Sequence, residues 1–305
     1  MRLQDFFSSR AVTESGIRLA QVAPRWAGYG LARFAAAIIA RAQPELYHTV
    51  RANLHQIVGP SATPKVLAAK TQAVFAHAGQ TYYDFFHALD YDADQIAREI
   101  TVPREMIASI RAEMAQGHGC LLLGAHISNF DLGILALGTV GLPIQALSLP
   151  NPNEGFTIFN RLRAKWGLEI TPITPQSLRQ TIRRLKDGGL VMTAFDRPIP
   201  DDQHLIPFFG RPAYFALGPA RLAVMTKAKV FMGSCHYEAG KGYIMHAQPI
   251  EMVYSGNRQS DIETNACRMA EVLEGYVRQY PEQWLMFHPF WPCGESGKWT
   301  VESEQ

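Results

Sequence analysis

The sequence lacks several features that mark common protein classes. It has only four cysteines in 305 residues, and no Cys-x-x-Cys pair or His/Cys cluster with metal-ligand spacing. They are Cys120, Cys235, Cys267 and Cys293. The pattern predicts that the protein has no metal site. It also predicts that the cysteines are reduced, as in an intracellular protein. The formal net charge is only +2, so no strong positive field favours nucleic acid as a partner.

Long apolar segments are also missing. A membrane-spanning helix needs about 20 predominantly apolar residues, but Arg18, Arg25 and Arg33 interrupt the segment 17–40. Residues 1–10 include Asp5 and no apolar core with a small-residue cleavage site, so no secretory signal is expected. The sequence therefore predicts a cytoplasmic protein that could attach to a membrane only peripherally.

Four familiar catalytic signatures are absent from the chain. It has no Gly-x-Ser-x-Gly elbow, no His-Glu-x-x-His, no P-loop and no Gly-x-Gly-x-x-Gly fingerprint. These absences argue against a serine hydrolase, a zinc protease, a P-loop nucleotidase and a dinucleotide-binding enzyme. The hydrophobic content of 47% and the length still allow a sizeable core.

Apolar periodicity divides the chain near residue 116. Residues 10–116 carry only helical signals, at 26–40, 46–58, 64–87 and 103–116, and no strand pattern. After residue 119, apolar runs alternate with helical segments. Strands are predicted at 120–125, 144–149, 168–171, 190–195, 230–236 and 243–248, and helices near 129–138, 155–166, 176–187, 214–226 and 261–280. The alternation predicts an α/β fold with a mainly parallel central sheet flanked by helices. A helical N-terminal region (1–116) precedes this α/β core (117–305), the two forming one continuous globular unit.

The stretch Cys120–Asp131 carries the chemistry. An apolar strand is predicted to end at His126, and Asp131 follows in the first turn of a helix that Ser128 or Asn129 caps. Ligands of open α/β sheets bind beyond the carboxyl ends of strands. A histidine oriented by a carboxylate can take a proton from a hydroxyl near neutral pH. We predict His126 as this base, although a core histidine followed by a helix-start acid has the same pattern.

The N-terminal helical region has arginines spaced among apolar residues. Arg18, Arg25, Arg33 and Arg41 stand among Ile, Leu, Trp, Phe and Ala. Such a segment can lie in a membrane interface with its arginines toward lipid head groups. Ordinary amphipathic packing on the rest of the protein is the alternative.

Further motifs follow in order along the chain. They are Asn160-Arg161-Leu162-Arg163 before Gly167, Asp196-Arg197, Ile206-Pro207-Phe208-Phe209-Gly210, Gly218 to Ala223, and Tyr280-Pro281-Glu282-Gln283-Trp284 with His288. Together with His126 to Asp131, an HX4D motif, this series resembles the lipid A biosynthesis acyltransferase family, the late lauroyl or myristoyl acyltransferases. It is similar also to the phosphatidylinositol mannoside acyltransferases and to the wider lysophospholipid acyltransferase-like enzymes.

This resemblance implies an O-acyltransferase that needs no cofactor. It would move a fatty acyl group from acyl-CoA or acyl carrier protein to a hydroxyl of a lipid or glycolipid, at the cytoplasmic face of the inner membrane.

The resemblance also implies roles for individual residues. Asp131 would orient His126, so that Asp131→Asn would lower turnover more than donor affinity. Asp196 would complete the relay or hold the acceptor. Arg163 would anchor an anion or polarise the thioester carbonyl. Further substrate-binding candidates are Asn129, Arg197, Phe208, Phe209 and Gly210, of which the two phenylalanines could equally belong to the core.

The acceptor and the reaction class stay open at this point. Lipid A enzymes mostly have glutamate where this chain has Asp131. The acceptor could therefore be a lipid A-like lipid, a phosphoglycolipid or a lysophospholipid. A thioesterase or esterase could use the same His-Asp pair with water as acceptor. A non-catalytic lipid-binding protein would need no oriented base. No motif places a Ser or Cys nucleophile, so no covalent acyl-enzyme is expected.

Overall fold

The computed structural model describes residues 10–150, 154–197, 199 and 202–292. The predicted lack of a secretory signal therefore falls mostly outside the described residues, as does Cys293. Helices come first: α1 (Arg10–Val22), α2 (Arg25–Ala42), α3 (Glu45–Val58), α4 (Pro64–His87), α5 (Ala93–Glu99) and α6 (Arg104–Ala115). The long helix α4 begins where the sequence predicts it. Thr63 caps it by accepting a hydrogen bond from the Val66 amide, and Pro64 occupies its first turn.

Most of the remaining strands and helices alternate as expected, but after residue 190 several strands follow each other directly. The strands are β1 (Ile100–Thr101), β2 (Cys120–Gly124), β3 (Ile144–Ser148), β4 (Glu169–Pro172), β5 (Leu190–Ala194), β6 (His204–Phe208), β7 (Arg211–Phe215), β8 (Lys229–Glu238) and β9 (Gly242–Ile250). The helices are α7 (Phe130–Thr139), α8 (Glu154–Lys165), α9 (Pro175–Lys186), α10 (Gly218–Thr226) and α11 (Arg258–Gln279).

The central sheet of the described chain has the strand order β1-β9-β8-β2-β5-β3-β4. Strands β8, β2, β5, β3 and β4 run parallel, whereas β9 is antiparallel to β8. The predicted α/β fold with a mainly parallel sheet and preceding helices is confirmed. The prediction that residues 10–116 contain no strand is wrong: β1 pairs with β9 there, and its two residues are too short to show an alternating pattern.

A small antiparallel hairpin of β6 and β7 lies outside the central sheet. The sequence pattern placed the start of a helix at 214, but β7 continues to Phe215 and α10 begins at Gly218. Phe209 and Gly210 connect the two strands with φ of +52° and +72°. Positive φ at both central residues is the geometry of a tight type I′ hairpin turn. The Phe-Phe-Gly motif is therefore a turn motif in this fold.

The core lies on both faces of the sheet. Leu121 and Leu123 of β2 face one apolar cluster and Leu122 faces the other, as expected for a strand buried on both sides. Tyr47 of α3 joins the first cluster, so the N-terminal helices share a core with the sheet. Three of the cysteines are free thiols: Cys120 and Cys235 are buried, and Cys267 is half-buried.

Candidate active site

The strand register brings His126 and Asp196 together. Parallel strands β2 and β5 are neighbours, and Gly124 pairs with Ala194 at their carboxyl ends. His126 and Asp196 each follow two residues after these paired positions. Residues that leave adjacent parallel strands at matched positions meet at the same sheet edge, where α/β folds bind ligands.

The carboxylate of Asp196 holds the His126 imidazole from one side. Nδ1 of His126 lies 2.6 Å from Oδ1 of Asp196, and the His126 amide donates to Oδ2 at 2.8 Å. The indole Nε1 of Trp284 donates to the same Oδ2 at 2.9 Å. Asp196 is fully buried. Burial acts to raise the pKa of its carboxyl, but His126 and the Trp284 donor outweigh that effect and the pKa is lowered.

This geometry leaves the other ring nitrogen of His126 available. Because Nδ1 faces a carboxylate, it carries the proton of the neutral ring, and Nε2 presents a lone pair. Among the residues that the structure describes, none forms a hydrogen bond with Nε2. The side chain is 13% exposed and packs edge-on against Phe130 at 4.6 Å between ring centres. This arrangement of the His126 ring is the one that general-base catalysis needs.

Asp131 does not orient His126, contrary to the sequence-based pairing. Its Oδ1 accepts hydrogen bonds from Arg163, at 2.5 Å from Nη2 and 3.1 Å from Nε. Arg163 also donates from Nη1 to Oδ1 of Asn160 at 3.1 Å. The side chains of Arg163 and Asp131 are only 14% and 9% exposed, so the ion pair is largely desolvated. It joins α8 to the first turn of α7, next to the His126 loop.

Arg197 brings a second guanidinium to this region. Its Nη1 donates to Nε2 of His288 at 2.7 Å. Burial, followed by the positive charge of Arg197 and the influence of His126, lowers the pKa of His288 to about 3. His288 is therefore neutral at physiological pH and accepts this hydrogen bond. The site thus combines one oriented histidine with two arginines.

The Asn129 side chain is used entirely within the protein. Its Oδ1 accepts from the Leu132 amide, as a helix cap does, and its Nδ2 donates to the Thr81 carbonyl. The residue is 2% exposed. The predicted cap is confirmed, and Asn129 ties the His126 loop to α4. We do not propose it as a substrate contact.

The Phe208 to Gly210 motif lies in an aromatic cluster. Phe208 has no exposed surface and contacts the rings of Phe215, Phe290 and Trp291. Because it borders no accessible space, Phe208 is a core residue and not the lining of an open channel. The Phe209 amide donates to Glu274, and Gly210 supplies the turn.

One residue that the sequence did not predict anchors the segment that carries His288. Asn53 on α3 is buried and donates from Nδ2 to the carbonyls of Met286 and His288, while its Oδ1 accepts from the Phe290 amide. Nothing in the local sequence identifies it, because its partners lie more than 230 positions away.

Replacing Asn53 with Ala is expected to destabilise the protein by about 2–3 kcal/mol. The change leaves two carbonyls and one amide without partners, and an unsatisfied buried polar group costs about 1–3 kcal/mol. Urea denaturation measures the loss of stability. Asn265→Ala is the control, because the buried Asn265 side chain on α11 makes similar hydrogen bonds to the backbone of Val253. We expect only Asn53→Ala to perturb the His288 imidazole resonance. An unperturbed resonance would contradict the role of Asn53 at the site.

No group of three or more His, Cys, Asp or Glu side chains within the described ranges is arranged to hold a metal ion. None of the described helices is both long enough and apolar enough to cross a membrane.

Comparison with known proteins identifies the family. The family described as bacterial lipid A biosynthesis acyltransferase matches residues 14–292. The chain is similar to the phosphatidylinositol mannoside acyltransferase of Mycobacterium tuberculosis, with 24% identity over 79% of this chain and 76% of that protein. The corresponding enzyme of Mycolicibacterium smegmatis is 25% identical over 79% of this chain and 78% of its own length. The lipid A biosynthesis lauroyltransferase of Escherichia coli is 28% identical over 59% of this chain and 58% of its own. With its sheet, its motif order and this match over most of its length, the chain belongs to the bacterial lipid A biosynthesis acyltransferase family.

Proposed function

We propose that this protein transfers a fatty acyl group to a hydroxyl of a membrane glycolipid or phospholipid. The acyl donor is a thioester, either acyl-CoA or an acylated carrier protein. The observation that carries the proposal is the 2.6 Å contact between His126 Nδ1 and Asp196, which leaves Nε2 free to take a proton. Asp196, and not Asp131, is the orienting acid in this proposal.

The proposed reaction is a direct displacement. Nε2 of His126 takes the proton of the acceptor hydroxyl as its oxygen attacks the thioester carbonyl carbon. Asp196 stabilises the imidazolium that forms. The tetrahedral intermediate then collapses, the carbon–sulfur bond breaks, and the imidazolium returns the proton to the leaving thiolate. The products are an ester and a free thiol, and no acyl-enzyme forms.

The two arginines have separate proposed roles. Arg197 interacts electrostatically with both Asp196 and Asp131. The guanidinium groups of Arg197 and Arg163 therefore both lie near His126. Arg163 is held in a fixed direction by Asp131 and Asn160, which suits it to an anionic group such as a phosphate of donor or acceptor. Arg197 supplies positive charge where an oxyanion develops. Asp131 then acts through Arg163 and does not take part in proton transfer.

A single assay separates the three function classes. The protein is incubated with radiolabelled acyl-CoA and a total lipid extract, and in parallel with labelled acyl carrier protein. We expect the label in one lipid class. Label released only as free fatty acid would identify a thioesterase, and lipid binding without any turnover would identify a non-catalytic binding protein.

One face of α2 supports peripheral attachment to a membrane. Leu31, Phe34 and Ile38 recur at helical spacing and are 53%, 64% and 52% exposed. Arg33 and Arg41 on the same helix are also exposed. We propose that this apolar face lies in the interface of an anionic membrane, with the arginines at the head groups.

The double variant Leu31→Ser/Phe34→Ser is expected to bind phosphatidylglycerol vesicles at least about tenfold more weakly. Burying one such side chain contributes about 1.5–3 kcal/mol, and 1.4 kcal/mol is tenfold in affinity. Vesicle sedimentation measures the effect. Leu205→Ser is the control, because Leu205 is 55% exposed on the β6 hairpin. Equal losses in both variants would contradict a specific membrane face.

A further inference from the structure

The loop after His126 contains a residue in a disfavoured conformation. Ser128 has φ of +53°, in the left-handed region that non-glycine residues rarely adopt. Such a conformation persists only where surrounding contacts hold it. The Ser128 amide donates to the carbonyl of Gln283 at 2.7 Å, and Oγ lies 2.8 Å from Nε2 of His77. The side-chain contact comes from α4, 51 positions away.

His77 connects this loop to an open depression. With Tyr29, Gln80 and Tyr280 it lines a cavity of about 340 Å³ on the protein surface. Burial lowers the pKa of His77 to about 4, against the raising influence of Glu282. The ring is therefore neutral at physiological pH and adds no charge near His126. Its Nε2 is available as a hydrogen-bond partner for the serine hydroxyl.

A Ser–His pair could also be a nucleophile and its base, but the surroundings argue against this. Ser128 is 1% exposed, so its hydroxyl is not open to an acyl-thioester. Among the described residues no carboxylate forms a hydrogen bond with His77, whereas an activated base is normally oriented by a third group. The contact therefore fits a role in holding the loop.

We propose that His77 is a positioning residue for acyl transfer, acting through Ser128 to fix the loop that carries His126. This inference rests on the proposed function, since the loop matters because His126 is the base. Without this contact the backbone at Ser128 can relax toward a negative φ. That change displaces the His126 imidazole from Asp196 or from the acceptor. A displacement of about 1 Å at a reacting group can cost roughly 100-fold in rate.

The test compares His77→Ala, Ser128→Ala and the double variant with His77→Gln. We expect each change to Ala to lower kcat by about 10- to 100-fold with little change in the KM of the acyl donor. The double variant should be no slower than either single variant, because both remove the same contact. The side-chain amide that His77→Gln introduces can bond to the serine hydroxyl and should recover part of the rate. Unchanged kcat, or losses that add in the double variant, would overturn the proposal.

A second measurement does not depend on turnover. The strong hydrogen bond to Asp196 gives the Nδ1 proton of His126 a distinct NMR resonance. His77→Ala and Ser128→Ala should shift this resonance, and His118→Ala should not, because His118 pairs with Glu113 before the start of β2. If the wild-type protein transfers no acyl group but the shift occurs, only the proposed function fails. An unshifted resonance overturns the positioning role. A trapped acyl-enzyme that disappears in Ser128→Ala would identify Ser128 as a nucleophile and would also overturn it.

Discussion

Replacing Asp196 with Asn is expected to lower kcat by ~10²–10⁴-fold, as much as replacing His126 itself. The amide oxygen of Asn can accept from the His126 amide and the Trp284 indole, which together occupy one carboxylate oxygen. The amide NH2 then faces Nδ1, where Asp196 now accepts a proton. The ring must take the opposite tautomer, with the proton on Nε2. The base is lost although the shape of the site is kept.

Matched variants separate this effect from a general loss of structure. His126→Gln and the double variant His126→Gln/Asp196→Asn should be no slower than Asp196→Asn alone, because the two residues act as one unit. Asp261→Asn is the control: Asp261 is also buried, and its carboxylate accepts from Ser255, just before the start of α11. It should alter stability without lowering kcat. An active Asp196→Asn protein would show that Asp196 only supports the fold.

Replacing Arg163 with Met is expected to lower the free energy of unfolding by about 3 kcal/mol. The change leaves the largely buried Asp131 carboxylate without its counter-charge, and breaking such a pair from one side costs about 3–5 kcal/mol. Denaturant titration measures the loss. Arg184→Met is the control, because its partner Glu169 is 57% exposed and such pairs contribute about 0–1 kcal/mol.

The double variant Arg163→Met/Asp131→Leu separates the structural role of the pair from its functional role. Removing both charges should restore most of the stability. The KM of the acyl donor or of the acceptor lipid should still rise about 10- to 100-fold, which corresponds to a lost charge-assisted hydrogen bond of about 1.5–3 kcal/mol. Asp131→Asn should likewise raise KM more than it lowers kcat. A stable double variant with a normal KM for both the donor and the acceptor would assign Arg163 to the fold alone.

Local pattern predicted most of the architecture. The strands that end before His126 and Asp196 could be located because both are short apolar runs bounded by glycine, and the helix after Asn129 has a recognisable cap. The hairpin of β6 and β7 was not predicted, since Pro207 and Pro212 obscure its alternation. The brief strand β1 exists only through its pairing with β9.

The partner of His126 could not be obtained in this way. Sequence proximity favoured Asp131, five positions away, whereas the bonded acid is 70 positions away. Strand order decides the matter: β2 and β5 are neighbours in the sheet although β3 and β4 lie between them in sequence. Which strands become neighbours depends on packing of the whole domain. The contacts of Asn53 and His77 depend in the same way on where the helices pack, so the local sequence does not predict them.

The carboxylate of Asp196 joins three parts of the chain that are synthesised at different times. Trp284 reaches it from 88 positions further along, and Leu285 donates to the His126 carbonyl beside it. During synthesis the histidine and its acid therefore emerge well before the indole that completes their hydrogen bonding. The proposed base therefore has its full set of hydrogen bonds only once the 281–291 segment has docked beside it.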